Sequence, residues 1–403
     1  MATLTYREKL ELQYISEWRE KVFAEFVLYY SDRPWGWETV SYYPNMTASL
    51  ILRLPDFINW NWKYVSMNEH LTIKTYDEKP LMPWNWEYIS ANANMSMEIF
   101  LERPELPWNF EGLSQNPNIT MEIVFQFPDA PWSWMHLSKN AGIPMESIME
   151  NVDQPWHWAC VSENPNLTME IVEKHSNMLW DWNFVSSHPN TTFDIVHKLP
   201  TKHWNFRRLS KNKTVTMEAI EQYVNKRWDW HALSENPAVC LSVILESPDK
   251  PWDWAAVSCN PSITQELISN YPDLPWNYNA MSRNPGLSLD YVMENMEEDW
   301  NWGFISMNAN ITMKQIEDNP TLPWEYNMVS KSPNLTIAMV DAYPYLGWDW
   351  RAVSCNPLKL DKLAFIEKKF QGKTPQFKSV RDFDFCESGN FEVSTSPTNT
   401  IKI

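Results

Sequence analysis

A serine recurs at one fixed place along this chain, six residues after a tryptophan, from Ser41 to Ser354. A serine hydroxyl can act as a nucleophile, but it then needs a neighbouring base and a set of oxyanion donors. Fourteen equivalent serines would need fourteen such sets, and the chain contains no G-x-S-x-G nucleophile elbow. We therefore predict that these serines are small packing residues whose hydroxyls bond to the local backbone.

Other residues that perform chemistry are scattered. The eight histidines occupy different places in the repeating pattern, without the spacing of a metal-ligand set. The chain has no glycine-rich phosphate loop and no H-E-x-x-H helix. The five cysteines are an odd number without paired spacing, which favours free thiols in a reducing compartment. We expect no catalytic residue, no cofactor and no metal, and therefore not an enzyme.

Tryptophan is very abundant, at 25 of 403 residues. Such rings can stack on sugars or form an aromatic cage around a cation. Here, however, two aromatic residues stand two places apart in every repeated unit. That regularity favours a role in the core.

One stretch is basic although the chain carries a formal net charge of −18. It is KLPTKHWNFRRLSKNK, residues 198–213, and it contains no acidic residue. It is either an ordinary solvated face or a docking surface for an acidic partner, including the acidic units of another copy. The candidate partner-binding residues are Lys198, Lys202, Arg207, Arg208, Lys211 and Lys213.

These residues are carried by a tandem repeat. The first tryptophan of each unit, taken as position 0, recurs fourteen times from Trp35 to Trp348, every 24 residues after one step of 25. Position 2 is always aromatic, and position 5 is always Val, Leu, Ile or Met. A fixed period of this length indicates a solenoid, a propeller or an array. Because 24 residues are too few for a four-stranded blade and lack the alternating leucines of a leucine-rich strand, we favour a helical solenoid.

Each unit contains start and stop signals for two short helices. Position 1 is mostly Asn, Asp, Ser or Gly, and position 12 is Thr or Ser in eleven copies; most of these residues are good helix N-caps. Asn at position 8 in eleven copies and Pro at position 9 in nine end the first helix. The Asn is expected to form the turn. Positions 0, 2, 5, 13 and 16 are expected to form the core.

The predicted fold is therefore an all-α solenoid of about fourteen 24-residue helix-turn-helix repeats. Residues 34–357 form the array, after an N-terminal helical cap at 1–33. A C-terminal capping helix at 358–373 precedes an extended or disordered tail at 374–403, which either orders on a partner or lies back on the solenoid. Stacking at about 10 Å per unit predicts a rod or superhelix about 140 Å long.

Charge and hydropathy exclude several classes of function. The net charge disfavours a grip on nucleic-acid phosphates. No apolar run reaches the length of about 20 residues of a membrane span, and the charged N-terminus is unlike a signal peptide. Seven of the eight Asn-x-Ser/Thr sequons fall at position 10 of the repeat and the eighth, Asn212, falls at position 8, so we interpret them as by-products of helix capping in a protein that is not secreted.

The phrases PWNWEYISANANMSMEIF and PWHWACVSENPNLTMEIVEKH resemble the Trp-rich tandem repeats of proteins from large nucleocytoplasmic DNA viruses that infect protists. The resemblance covers about residues 34–357. It implies a viral source and a location in the host cytoplasm or the virion. We expect a structural or protein-binding solenoid that is a minor component of a giant-virus particle. The alternative is an intracellular adaptor that binds a host protein or peptide on its concave face. Self-association remains open.

Overall fold

The computed structural model describes residues 4–43, 45–53 and 60–370. Within those ranges every regular element is a helix, which confirms the predicted all-α helical repeat. The chain begins with α1 (Tyr6–Trp18), one π-helical segment (Arg19–Phe23) and α2 (Ala24–Tyr29). The repeats then contribute first and second helices in alternation.

The first helices are α3 (Trp37–Val40), α5 (Trp62–Met67), α7 (Trp86–Ala91), α9 (Phe110–Gln115), α11 (Trp134–Ser138), α13 (Trp158–Val161), α15 (Trp182–Ser187), α17 (Phe206–Leu209), α19 (Trp230–Glu235), α21 (Trp254–Cys259), α23 (Tyr278–Met281), α25 (Trp302–Met307), α27 (Tyr326–Val329) and α29 (Trp350–Cys355). The second helices are α4 (Ala48–Arg53), α6 (Ile73–Glu78), α8 (Met97–Glu102), α10 (Met121–Gln126), α12 (Met145–Glu150), α14 (Met169–Lys174), α16 (Phe193–Lys198), α18 (Met217–Gln222), α20 (Leu241–Glu246), α22 (Gln265–Asn270), α24 (Leu289–Glu294), α26 (Met313–Asp318) and α28 (Ile337–Ala342). The last helix of the described residues is α30 (Lys359–Phe370).

Short polar side chains start the helices at the predicted positions. At position 1, Asn85 accepts a hydrogen bond from the N–H of Tyr88 at 3.3 Å. At position 12, Thr216 accepts one from the N–H of Ala219 at 3.2 Å. Helices of four to six residues are far below the roughly 12 to 15 residues at which an isolated helix becomes marginally stable. Packing between repeats must therefore hold them.

Aromatic rings supply much of that packing. The ring at position 2 of one repeat meets the tryptophan of the next repeat edge to face. The ring centroids are 4.8 Å apart for Trp182 and Trp204, and 5.5 Å apart for Tyr326 and Trp348. Such pairs add about 0.5 to 1.5 kcal/mol beyond area burial. The predicted role of the tryptophans in the core is confirmed, since most of those at position 0 are buried.

A ladder of asparagines connects the turns. Asn116 at position 8 is fully buried, and its Nδ2 donates to three carbonyls of the preceding repeat at 2.8 to 2.9 Å. Its Oδ1 accepts from the N–H of Asn118 at 2.9 Å, which confirms the predicted turn. The same residue type therefore shapes most of the turns and bonds them to the preceding repeat.

The recurring serine also joins neighbouring repeats. The Oγ of Ser138 donates to the carbonyl of Trp134 at 2.6 Å, which confirms the predicted bond to the local backbone. It also accepts from the N–H of His157 in the next repeat at 2.9 Å. The hydroxyl is thus used twice, and the side chain is fully buried.

The fourteenth repeat packs against the first, so that the array closes into a ring. Trp350 at position 2 of the last repeat lies 5.4 Å, centroid to centroid, from Trp35 at position 0 of the first. The Nδ2 of Asn45 donates to the carbonyl of Asn356 at 3.0 Å, across 311 residues of chain. α29 also packs beside α3 as neighbouring first helices do elsewhere. The expectation of an open rod or superhelix is wrong, because the small turn at each junction completes a circle after fourteen steps.

The N-terminus supplies the second helix of the last repeat. Val27, Tyr30 and Arg33 fall at positions 16, 19 and 22 when the period is extended back from Trp35. Val27 is fully buried, the Tyr30 ring lies 5.0 Å from that of Trp350, and the Arg33 guanidinium lies 5.8 Å from the centroid of the same indole. Lysines at position 22 of other repeats make this last contact too. The closing unit therefore combines α29 with α2, from opposite ends of the chain.

This arrangement corrects the predicted role of the two ends. Residues 24–33 do not cap an exposed end, because they complete the ring. α30 lies within the predicted C-terminal helix, but it packs antiparallel on α1, with Phe370 at 5.2 Å from Tyr14 and the Lys369 Nζ at 2.6 Å from Glu17. Residues 371–403, and with them the predicted tail, lie outside the described part of the chain.

The first helices form the inner layer of the ring. A Cβ on Gly112 of α9 would lie 2.2 Å from the carbonyl oxygen of Glu87 on α7, so these backbones almost touch. Neighbouring second helices contact each other much less. Since both layers close over the same number of steps, the more closely spaced layer must have the smaller radius. At about 8 Å between helix axes, and with a helix radius of about 5 to 6 Å, the central opening is on the order of 25 Å across.

Candidate binding surface

In most repeats positions 3, 4 and 7 lie on the side of the first helix that faces the central opening, although small residues at position 4 such as Gly112, Ala232 and Ala256 are buried. Positions 5 and 6 are buried between the two layers, as Leu209 and Ser210 are. The opposite side of each first helix faces solvent, and because these helices form the inner layer, that side points into the opening. We call this surface the inner wall. In the eighth repeat it consists of Arg207, Arg208 and Lys211, all of them exposed.

The inner wall is positive in an otherwise strongly negative chain. It carries eight cations and five carboxylates, a net charge of +3, which leaves −21 for the remainder of a chain whose total is −18. The cations are Lys63, Lys139, Arg207, Arg208, Lys211, Arg283, Lys331 and Arg351. The carboxylates are Glu38, Glu87, Glu111, Glu163 and Glu235.

Charge varies around the wall. The first four repeats have three carboxylates and one cation there, whereas repeats five to eight have four cations and one carboxylate. We call the latter four cations, Lys139, Arg207, Arg208 and Lys211, the basic sector. Oppositely charged groups attract most strongly where low-dielectric walls surround them, so this sector is the part of the ring that is best suited to hold an anion.

A cavity with an aromatic side lies within the basic sector. It has a volume of about 420 Å³ and is lined by Lys139, Glu163, Phe184, Ser187, His188, Pro189 and Arg208. The Arg208 guanidinium carbon lies 5.5 Å from the centroid of the Phe184 ring, and its Nη1 donates to the Ser187 Oγ at 3.2 Å. The cavity thus offers a fixed cation beside an aromatic face, a combination suited to a carboxylate next to an apolar side chain.

The six residues predicted from the sequence do not form one patch. Lys198 ends α16 in the outer layer, where its Nζ lies 2.8 Å from Glu173 Oε2. Lys202 lies in the link between repeats, where its Nζ donates to the Ser176 carbonyl at 2.6 Å and lies 5.7 Å from the centroid of the Trp182 ring. These two lysines already have partners and lie away from the inner wall.

The other four predicted residues stay together. Arg207 and Arg208 lie on α17, Lys211 follows it, and Lys213 lies in the turn at position 9. Among the described residues, no carboxylate pairs with the side chains of Arg207, Lys211 or Lys213. Their positive charges therefore remain available to a ligand. That they bind a partner stays a prediction.

Lys139 and Phe184 also belong to this surface, although they lie outside the predicted basic stretch. They stand far from residues 198–213 along the chain, but they occupy positions 7 and 4 of the repeat. Comparing equivalent positions across repeats, instead of reading a continuous stretch, could have grouped them with Arg208 and Lys211. In a repeat protein, residues that share a surface occupy equivalent positions of successive repeats, not neighbouring positions in the sequence.

The chemistry-bearing residues elsewhere have structural surroundings. Within the described ranges no group of three or more His, Cys, Asp or Glu is placed to hold a metal. The described cysteines are free thiols. The exposed His231 Nδ1 lies 2.7 Å from Asp253 Oδ2, and this hydrogen bond raises the pKa of the imidazole. Asp253 also caps α21, so the pair is part of the repeat architecture.

Among the helices of the described chain, none is both long enough and apolar enough to cross a bilayer. No known protein family, no curated protein and no solved structure matches this sequence or fold.

Proposed function

We propose that this chain is a non-enzymatic, protein-binding ring whose inner wall holds an acidic segment of a partner. The observation that carries the proposal is the separation of charge, +3 on the inner wall and −21 elsewhere. Complementary charge sets register and encounter rate between proteins. Three of the eight wall cations lie on or directly after α17, and a cavity with an aromatic side adjoins them.

The same distribution favours a protein partner over nucleic acid. A polynucleotide crossing the ring would bring a continuous row of phosphates past the carboxylates of the first four repeats. Nonspecific binding to phosphates needs many cations along the path. A short acidic peptide segment needs only the basic sector, and its apolar side chains can use the Phe184 face.

Charge reversal on the inner wall tests the proposal. The variant R207E/R208E/K211E should bind a Phe-containing acidic peptide, unrelated to this chain, at least tenfold more weakly than the natural protein does. Fluorescence anisotropy at two salt concentrations would measure the affinity and its screening. The control variant K174E/K198E/K314E changes the net charge equally but alters the outer helices. Equal affinity in both variants would show that net charge alone governs binding and would refute the proposal.

The setting of this function follows from the resemblance to giant-virus repeat proteins. We propose a minor structural component of the virus particle, with an adaptor for a host protein as the alternative. The enclosed opening supports the adaptor, because a ring can surround a segment of its partner. Mass spectrometry of purified particles separates the two settings. Stoichiometric presence supports the particle component, whereas absence from particles supports the adaptor.

A further inference from the structure

We infer that the basic sector binds the chain's own acidic segment, residues 382–392, from the same molecule or from a second copy. This inference rests on the proposed function, because it takes the inner wall as a binding surface. It adds the identity of an occupant. Three observations carry it, namely the composition of the segment, the unpaired cations of the wall, and the length of chain that joins the two.

The segment reads DFDFCESGNFE and lies outside the described residues. It contains four carboxylates, three phenylalanines and no lysine or arginine. Acidic and aromatic residues alternate at its start, from Asp382 to Phe385. In an extended chain successive side chains point to opposite sides. The segment can therefore present carboxylates on one side and aromatic rings on the other.

The basic sector complements both sides. The exposed side chains of Arg207 and Lys211 have no carboxylate partner among the described residues. Arg208 holds its guanidinium over Phe184 at the edge of the cavity. Carboxylates would pair with the guanidinium groups, and a phenylalanine would enter the cavity against Phe184. The rest of the molecule is less suited to this segment, because the chain outside the inner wall carries a net charge of −21.

The connecting chain is long enough to cross the opening. Eleven residues separate Phe370, the end of α30, from Asp382. At about 3.3 to 3.6 Å per residue they span up to about 40 Å when extended. The opening is on the order of 25 Å across. The segment can therefore reach across a ring, its own or that of a second copy.

Crosslinking to the native Cys386 tests the contact in the full-length protein. Ser187 is exposed and lines the cavity, so the S187C thiol should join Cys386 through a short bis-maleimide. Asn327 is exposed on the inner wall of the thirteenth repeat, far around the ring, and N327C is the matched control. We expect at least fivefold more crosslink to Cys386 from S187C than from N327C. The charge reversal R207E/R208E/K211E and 1 M salt should each remove that excess.

A competition experiment gives a second measurement. A synthetic peptide of residues 380–393 should bind the full-length variant D382N/D384N/E387Q at least tenfold tighter than it binds the natural protein, whose site is occupied. If the crosslink forms within one molecule, its yield should not depend on protein concentration. If it forms between copies, its yield should increase linearly with concentration. Both results support the inference. Equal crosslinking at the two positions, or equal peptide affinity for the two proteins, would overturn it. If an unrelated acidic peptide still binds the wall and R207E/R208E/K211E still abolishes that binding, the proposed function survives this failure.

Discussion

His188 stands where the repeat normally has asparagine, and it fits the ladder only as a neutral ring. Its Nε2 lies 3.1 Å from the carbonyl oxygen of Asn164, and its Nδ1 accepts from the N–H of Asn190 at 3.2 Å. Nε2 must therefore carry the proton while Nδ1 remains an acceptor. Burial lowers the pKa of His188, which favours this neutral form.

Stability should therefore depend on pH at this residue. Because the folded-state pKa lies below the ordinary value of 6.5, His188 binds protons more readily in the unfolded chain than in the folded one. The folded state therefore loses stability as pH falls below 6.5. His188→Asn should remove this penalty, so its gain in free energy of unfolding over the natural protein should grow from pH 8 to pH 5. Urea unfolding at both pH values measures the gain.

His231 provides a control of opposite sign. The hydrogen bond to Asp253 raises the pKa of His231. Its contribution to the free energy of unfolding is therefore fully present below the unfolded-state pKa and is lost as pH rises through the folded-state pKa. His231→Asn should therefore cost stability at pH 5 and little at pH 8. Identical pH profiles for the His188 and His231 variants would contradict the account of the ladder.

At the scale of the helices, junctions between repeats matter more than any single helix. Asn260 is fully buried and donates to three carbonyls of the preceding repeat, at 2.9, 2.9 and 3.2 Å. Asn260→Ala leaves those carbonyls with fewer donors in a closed interior. Each unsatisfied buried group costs about 1 to 3 kcal/mol.

We expect Asn260→Ala to lower the free energy of unfolding by about 2 to 4 kcal/mol. The exposed Asn279 at position 3 is the control, and Asn279→Ala should change the free energy of unfolding by less than about 0.5 kcal/mol. Hydrogen exchange should show the loss of protection confined to the repeats that flank Asn260, since contacts are with nearest neighbours. Uniform loss around the whole ring would argue against this local view.

The sequence predicts these helices well and their junctions poorly, for a physical reason. Caps such as Asn85 and Thr216 act on backbone groups two or three residues away, so residue type and order are sufficient. Asn116 and Ser138 bond to groups one repeat away, and only the packed structure shows which carbonyl or N–H meets them. The wall residues Lys139 and Phe184 differ, because their places at positions 7 and 4 of the repeat can be read from the sequence once the repeats are aligned.

For the molecule as a whole, the half-repeat at the N-terminus completes the unit at which the ring closes. The period predicts how many repeats exist, but it does not predict the rotation from one repeat to the next. That rotation depends on how much closer neighbouring first helices lie than neighbouring second helices. Val27, Tyr30 and Arg33 were a readable signal of closure, because they continue the period before Trp35. That signal was hidden because the corresponding position 0 is Glu11 and not tryptophan.

Disrupting the half-repeat should open the ring without unfolding the other repeats. Val27→Asp places a carboxylate among apolar side chains at a site that is fully buried. Small-angle X-ray scattering should show a larger maximum dimension, while circular dichroism keeps most of the helical signal. Val224→Asp, at a residue 58% exposed, is the control and should leave both measurements unchanged. A compact profile for Val27→Asp would show that closure does not need α2.

The split last repeat also dictates when the molecule can finish forming on the ribosome. α2 is among the first segments translated, yet α29, which it must join, emerges about 320 residues later. At about 5 to 20 residues per second, that delay lasts tens of seconds. During this time the apolar face of α2 is exposed without its partner. The α29 helix of a neighbouring nascent copy could then pack against it in place of the chain's own α29.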